Sequence, residues 1–374
     1  MTHTGNVYIN TTSQDAFLAY QDGYQSNNPA YLPTHTSEKG TISLGSNFST
    51  IVIVSSVITG NSYGVTVFDN SNTAHSEQLN LNLEGDTISI SAESANGYAN
   101  ALHVSSDVTS YNKEKNNTIN ITSKNGTFIY AKGTTGATAI EAMSGGILNI
   151  SGPLTAKAEL VDGSKGDVIY ARGGATINIG AQGETVKLDG NINFGYEGTT
   201  SGTGVDAFVN VTLTGADSYW EGNTITSWSP NKPDDEKLDV TNLKVALNKG
   251  ATWRPTAVEN SESKNQQYTA LNKLTLDDGI VDVKEGVEVE IEKISGSGTI
   301  ANAGTMSLGA TDTGELGGTI DNTGTMNITG AVTLAQGSSY TQSGEGSLTV
   351  KEGATLANNG AMTINGGSLT VKGT

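Results

Sequence analysis

The chain has 374 residues, enough for two or three ordinary domains or one long repetitive one. Its 38 acidic residues outnumber 20 basic ones, and the formal charge of −18 excludes the basic grooves that nucleic acids and polyanions require. Glycine is abundant at 47, proline scarce at 6 and cysteine absent, so the chain turns often and can cross an oxidising compartment without mispaired thiols.

Residues 1–40, with "NNPAYLPTHTSEKG", show no strand periodicity and are expected to form an irregular N-terminal cap over an otherwise open strand edge. "MTHTGNVYIN" has neither the basic start nor the apolar core of a signal peptide. The most apolar run, "STIVIVSSVITG" (49–60), is too short and too β-branched for a membrane-spanning helix. Gly60-Asn61-Ser62-Tyr63-Gly64 fits Gly-x-Ser-x-Gly, but a nucleophile elbow needs a helix next, and "GVTVFDN" reads as a strand. His3 and His35 precede it; His75 and His103 follow without a surrounding motif. The segment is read as a turn.

A repeat emerges further on. "AIEAMSGGILNISG" (139–152) matches "VIYARGGATINIGA" (168–181) position for position, with Ala139, Ile140, Ala142, Gly145, Leu148, Asn149 and Ile150 equivalent to Val168, Ile169, Ala171, Gly174, Ile177, Asn178 and Ile179. A step of 29 back from Ile150 lands on Ile121, and "DTISISA" (86–92) and "VNVTLTG" (209–215) extend the series. The C-terminal third repeats faster. "GTIANAGTMSL" (298–308), "GTIDNTGTMNI" (318–328) and "ATLANNGAMTI" (354–364) superimpose, and their markers Asn302, Asn322, Gln342 and Asn358 step by 20, 20 and 16.

A period near 20 that grows by loop insertion is the mark of a solenoid. Segments of three to five alternating Ile, Val, Leu and Thr are strands, and Gly, Asn, Asp and Ser punctuate them. The best helix candidate, "TNLKVALNKG" (241–250), reads equally well as a strand and turn. The predicted fold is all-β: a parallel β-helix over 41–374 with on the order of 15 coils. Ile121, Leu148, Ile150, Ile177 and Ile179 would form one apolar ladder along its axis, and turn asparagines would stack and bond neighbouring backbone.

Two polar insertions exceed the coil period, "SYNKEKNNT" (110–118) and "SWSPNKPDDEKLD" (227–239). Loops projecting from a rigid scaffold are where recognition usually sits. The candidate binding residues are therefore Tyr111 and Lys113 in the first, and Trp228, Asp234, Asp235 and Glu236 in the second. No catalytic residue, cofactor or metal ligand is predicted. "GGATINIG" (173–180) fails the calcium repeat, no His or Cys cluster suits zinc, and the carboxylate pairs Asp234-Asp235 and Asp277-Asp278 read as a loop and a turn.

The paired small-Ile-x-Ala…Gly-Gly-x-Ile-x-Ile coils, the "GADSYWEGNTI" (215–225) and "LNKGATWRPTA" (247–257) pair before "YTALNKLTLDDGIVDV" (268–283), and the "GSGTI" and "NTGTMNI" units resemble passenger domains of classical autotransporters, the AIDA-type and pertactin-like adhesins. The likeness covers about 100–374. It implies a right-handed β-helix, secreted and held on the surface of a Gram-negative bacterium by a C-terminal outer-membrane barrel. The final "SLTVKGT" stops within the repeat, so the chain is expected to be a passenger fragment without that barrel. The expected function is non-enzymatic adhesion: self-association with a copy on a neighbouring cell, or attachment to a host surface protein or glycan. A carbohydrate-active β-helix enzyme is the alternative, favoured by converging carboxylates with stacked aromatics.

Overall fold

The computed structural model describes residues 2–12, 15–21, 40–46, 49–69, 79–106, 116–195, 207–227, 242–258, 266–268 and 270–374. These are all-β, without a helix, and their strands pair in parallel, the arrangement expected of a β-solenoid. They fall into two compact units: Met1–Glu184 with Leu188–Val209 and Thr226–Asp239, and Thr185–Lys187 with Asn210–Ile225 and Val240–Thr374.

In the first unit the chain returns to the same three strand positions. Strands Leu79–Ser94, Thr118–Gly133 and Ile147–Ser151 pair at one position; Thr50–Val57, Leu79–Ser94, Thr118–Gly133 and Leu154–Leu160 pair at a second. The third is a separate small sheet, running Asp15–Gln21, Ser62–Asp69, Tyr98–Ser105, Gly136–Met143, Asp167–Arg172 and Asn191–Gly195. Long strands serve two positions because they bend at an interior Gly, as at the register shift after Gly85.

The 29-residue repeat is a register. Ile121, Ile150 and Ile179 pair in succession, and so do Ile119, Leu148 and Ile177. The expected single apolar ladder is thus two, because Leu148 and Ile150 stand two residues apart on the inward face of one strand. All six side chains are buried. Burial contributes roughly 1.5–3 kcal/mol for each.

Gly152 shows what closes a turn between positions. Its φ is +93°, and an added Cβ would lie 1.9 Å from the Ser123 carbonyl oxygen. No L side chain fits either requirement.

The described residues within 2–21 differ from the expected irregular cap. Thr2–His3, Val7–Thr11 and Asp15–Gln21 pair in register with Gly40–Gly45, Thr50–Val57 and Ser62–Asp69. The cause lies in "VYINT", whose alternation sets half-buried Val7, Ile9 and Thr11 against exposed Tyr8 and Asn10. Ile9 thereby stacks on Ile53, which is fully buried.

The second unit begins from a Trp pair. Trp220 and Trp253 pair in register, their rings stack at 4.8 Å and 2°, and Trp253 Nε1 donates to Gly222 O at 3.0 Å. "TNLKVALNKG" supplies a strand, Leu243–Asn248, which pairs with Leu271–Val283. A step of 20 then holds through Leu276 to Gly296 and Ile300 to Ile320 to Tyr340.

The asparagine markers need one correction. Asn302 pairs with Asn322 and Asn322 with Gln342, but Gln342 pairs with Ile364, a step of 22. Asn358 belongs to a different position, opposite Leu334. The error arises because strands at different positions share the same short x-apolar-x-apolar wording. The true members behave as expected: Asn302 Nδ2 donates to Asn322 Oδ1 at 2.8 Å and to Thr325 O at 3.0 Å, and Asn322 Nδ2 to Ser347 O at 3.0 Å.

Leu148→Ala should remove about 2–5 kcal/mol of stability, since the fixed backbone spacing above and below prevents collapse of the cavity. Urea unfolding followed by circular dichroism measures it, and a loss below about 1 kcal/mol would contradict the ladder.

Candidate functional site

None of the six loop candidates, Tyr111, Lys113, Trp228, Asp234, Asp235 and Glu236, lies among the described residues. Among the described residues, a cluster of buried polar and titratable groups lies elsewhere, on the small sheet of the first unit.

There the period-2 alternation breaks. Ala101 and Leu102, Ala139 and Ile140, and Val168 and Ile169 are consecutive pairs, all fully buried. Asn100 and His103 consequently share a face although three positions apart. Both meet the same oxygen of Glu141: Asn100 Nδ2 donates to Oε2, and His103 Nδ1 lies 2.7 Å from it. Strand pairing then repeats this arrangement across the sheet in two rows. One row is Tyr63, Asn100, Thr138, Asp167 and Asn191; the other is Thr66, His103, Glu141, Tyr170 and Asn193.

The rows are tightly interconnected. Tyr98 donates to Thr138 Oγ1 at 2.5 Å, and Asn193 Nδ2 donates to Asp167 Oδ2 at 2.7 Å. The Arg172 guanidinium sits 5.8 Å from the Tyr170 ring centroid. Burial pushes the Asp167 carboxyl up to about 7; the Asn193 hydrogen bond opposes this and the Glu141 charge adds to it. Burial likewise raises Tyr170 to about 12, with Arg172 opposing, and holds Tyr98 well above the ordinary phenol value.

Three buried side-chain atoms on this sheet have no hydrogen-bond partner: Thr66 Oγ1, Asn100 Oδ1 and Arg172 Nε. Among the described residues only three other side-chain atoms share that condition, on Thr214, Thr256 and Asn302. The strip therefore combines a carboxyl that burial raises to about 7, a Glu141 side chain held by an amide and an imidazole, and unsatisfied donors and acceptors.

Other candidates resolve differently. Ser62 is buried inside the strand Ser62–Asp69, and its Oγ donates to Ser55 Oγ at 2.8 Å, so the Gly-x-Ser-x-Gly segment presents no nucleophile. Asp277 and Asp278 are exposed, and Asp278 takes φ +60° within the strand Leu271–Val283. Glu159 is held near 2, first by its 2.7 Å bond to Lys157 and then by the Tyr130 hydroxyl. That cluster is solvent-screened and contributes little to stability. No group of three or more metal-ligating side chains occurs among the described residues.

The strip was legible in one column of the repeat. The variable residue of small-Ile-x-Ala is Glu141 in one coil and Tyr170 in the next, and "ALHV" (101–104) and "GVTV" (64–67) add His103 and Thr66. Its members differ in chemistry, so no single residue type recurs along it. No protein-family model, curated protein or solved structure matches this chain.

Asp167 ionises near 3.8 when free and near 7 when folded. Between those values the folded state holds more protons, so this contribution to stability falls as pH rises and is absent above about 7. Asp167→Asn removes the dependence while keeping an acceptor for Asn193. Thermal unfolding midpoints should shift in favour of the variant from about pH 4 to about pH 8. A difference independent of pH would show that the carboxyl is not desolvated.

Proposed function

We propose that the protein is a non-enzymatic bacterial surface adhesin, built as a right-handed β-helix of on the order of 15 coils. On this reading it is displayed outside a Gram-negative cell by a barrel beyond this chain. It joins copies on neighbouring cells, or attaches to host or matrix ligands, through its repeated polar faces.

The observation that carries this reading is an amide ladder on the outer face of the large sheet. Asn120, Asn149 and Asn178 each donate from Nδ2 to Oδ1 of Asn82, Asn120 and Asn149, every bond at 2.9 Å. These side chains alternate with the buried isoleucines and leucines of the same strands, and are half-buried rather than enclosed. Within the ladder, Asn120 and Asn149 each spend one N–H and one acceptor site, of two N–H groups and two lone pairs. An opposing polar face can take up the remainder. Each such bond is worth a net of about 0.5–1.5 kcal/mol. Many copies on one cell multiply that weak contact into firm attachment without a pocket.

The charge of −18 opposes contact between copies. Added salt screens it, with a Debye length near 10 Å at 0.1 M. Cells displaying this chain should settle faster as salt rises, and should exclude labelled non-displaying cells. Asn149→Glu places like charges opposite one another in a contact between copies and should slow settling several-fold. No settling at any salt would remove self-association, and co-settling of non-displaying cells would redirect the search to a foreign ligand.

One observation favours the carbohydrate-active alternative: Glu141 and Asp167 lie close enough for the Glu141 charge to raise Asp167, beside Tyr98 and Tyr170. A protonated acid near an ionised carboxylate is the pairing glycoside hydrolysis uses. That reading requires reducing ends to be released from a neutral polysaccharide by the native chain, and at least a ~100-fold loss in Glu141→Gln. Absence of release by the native chain excludes it.

A further inference from the structure

Glu93, Lys132 and Glu159 of the first unit stack in register with alternating sign, and Lys132 Nζ lies 3.5 Å from Glu159 Oε1. The second unit holds a row that does the opposite. Lys244 pairs with Lys273 and Lys273 with Lys293, so three ammonium groups recur on consecutive turns of one sheet. Their backbones stand about 4.8 Å apart. Like charges directly opposite one another destabilise a sheet. Lys244 and Lys293 are exposed and Lys273 is half-buried, so all three side chains reach solvent.

One carboxylate answers the three. Asp312 Oδ2 lies 2.5 Å from Lys273 Nζ. That hydrogen bond, with the charges of Lys273, Lys293 and Lys244, holds the Asp312 carboxyl below its ordinary value. The amines thus act on a common point, and an acid already occupies it. Glu292, next to Lys293, is engaged otherwise, its Oε2 accepting from Asn272 Nδ2 at 2.7 Å. Among the described residues Lys244 and Lys293 form no ion pair. The row ends at Ala310, opposite Lys293. The formal charge of −18 predicts no basic groove, and this row is a local exception to it.

The complement of the row is negative charge repeated near the turn spacing. A carboxylate fits by example, since Asp312 supplies one to Lys273. A single small anion would engage one or two amines. A chain with one carboxylate on each sugar would engage all three, because the turn spacing is close to the length of one pyranose residue. Half-buried Thr275, two residues along from Lys273, adds a hydroxyl that can donate and accept. We propose that Lys244, Lys273 and Lys293 bind an acidic polysaccharide bearing a carboxylate on each sugar, laid along the turns, and that Asp312 holds the site in its absence. This inference does not rest on contact between copies through the asparagine ladder, and salt separates the two. Screening relieves the repulsion between copies but weakens contacts between lysine and carboxylate.

Isothermal titration of the full chain with polygalacturonate at low salt tests it, with neutral dextran as the comparison. The polyuronate should bind and dextran should not. Lys244→Gln combined with Lys293→Gln, both at exposed positions, should weaken binding about tenfold. The slope of log affinity against log salt should fall by about one for each lysine removed. Asp312→Asn removes the competing carboxylate and should bind several-fold more tightly, a gain that a folding failure cannot mimic. Glu352→Gln makes the same change in net charge at an exposed turn and should leave affinity unchanged. Circular dichroism checks that each variant is folded. Any of these results would overturn the proposal: no polyuronate binding, equal binding of dextran, native affinity in the folded double variant, no gain in Asp312→Asn, or an equal gain in Glu352→Gln.

Discussion

Parallel in-register pairing is the constraint from which the rest of each unit follows. Once a strand hydrogen-bonds to its equivalent one turn earlier, every side chain stacks on the residue at the same position of the previous turn. Apolar residues then make continuous rows, as Ile119, Leu148 and Ile177 do, and polar ones must find partners along the same axis. Asparagine solves this with its own kind, because its amide carries a donor at one end and an acceptor at the other. The ladder through Asn82, Asn120, Asn149 and Asn178 and the inner pair Asn302 and Asn322 are the same solution on two sides of a strand.

The same constraint makes the small sheet unusual. A row of unlike residues cannot form a self-complementary ladder, so Glu141 and Asn193 reach across to Asn100 and Asp167 of the neighbouring row, while His103 bonds Glu141 within its own. The consecutive buried pairs, such as Ala139 and Ile140, bring the two rows onto one face. The result is a dense network with three atoms left over.

Turn geometry sets how far the repeat can vary. Gly152 and Gly296 both have positive φ and sit against a carbonyl oxygen of the preceding turn, so the corner they form admits no side chain. Steps of 20, 22 and 29 residues differ in what lies between strands, while the strands themselves keep register. Length is added where the backbone faces water, and loop closure grows only slowly with it.

The repeating residues alone determined the strand class, the parallel register of 139–150 on 168–179 and the stacked asparagines. Each depends on a period, and a period survives in the linear order. Position within a turn did not survive, because "ATLANNGAMTI" reads like its neighbours at any of the strand positions, and so Asn358 was misplaced. The strand character of Val7–Thr11 was hidden by an isolated alternation of five residues, which gains meaning only when Ile53 lies beside Ile9. One row of the strip shows in the sequence as a variable column, but the meeting of its two rows was decided by tertiary structure. Asn100, Glu141 and Asp167 are far apart in the chain and unlike in type, and they meet because a break in alternation and the register of separate turns bring them to one face.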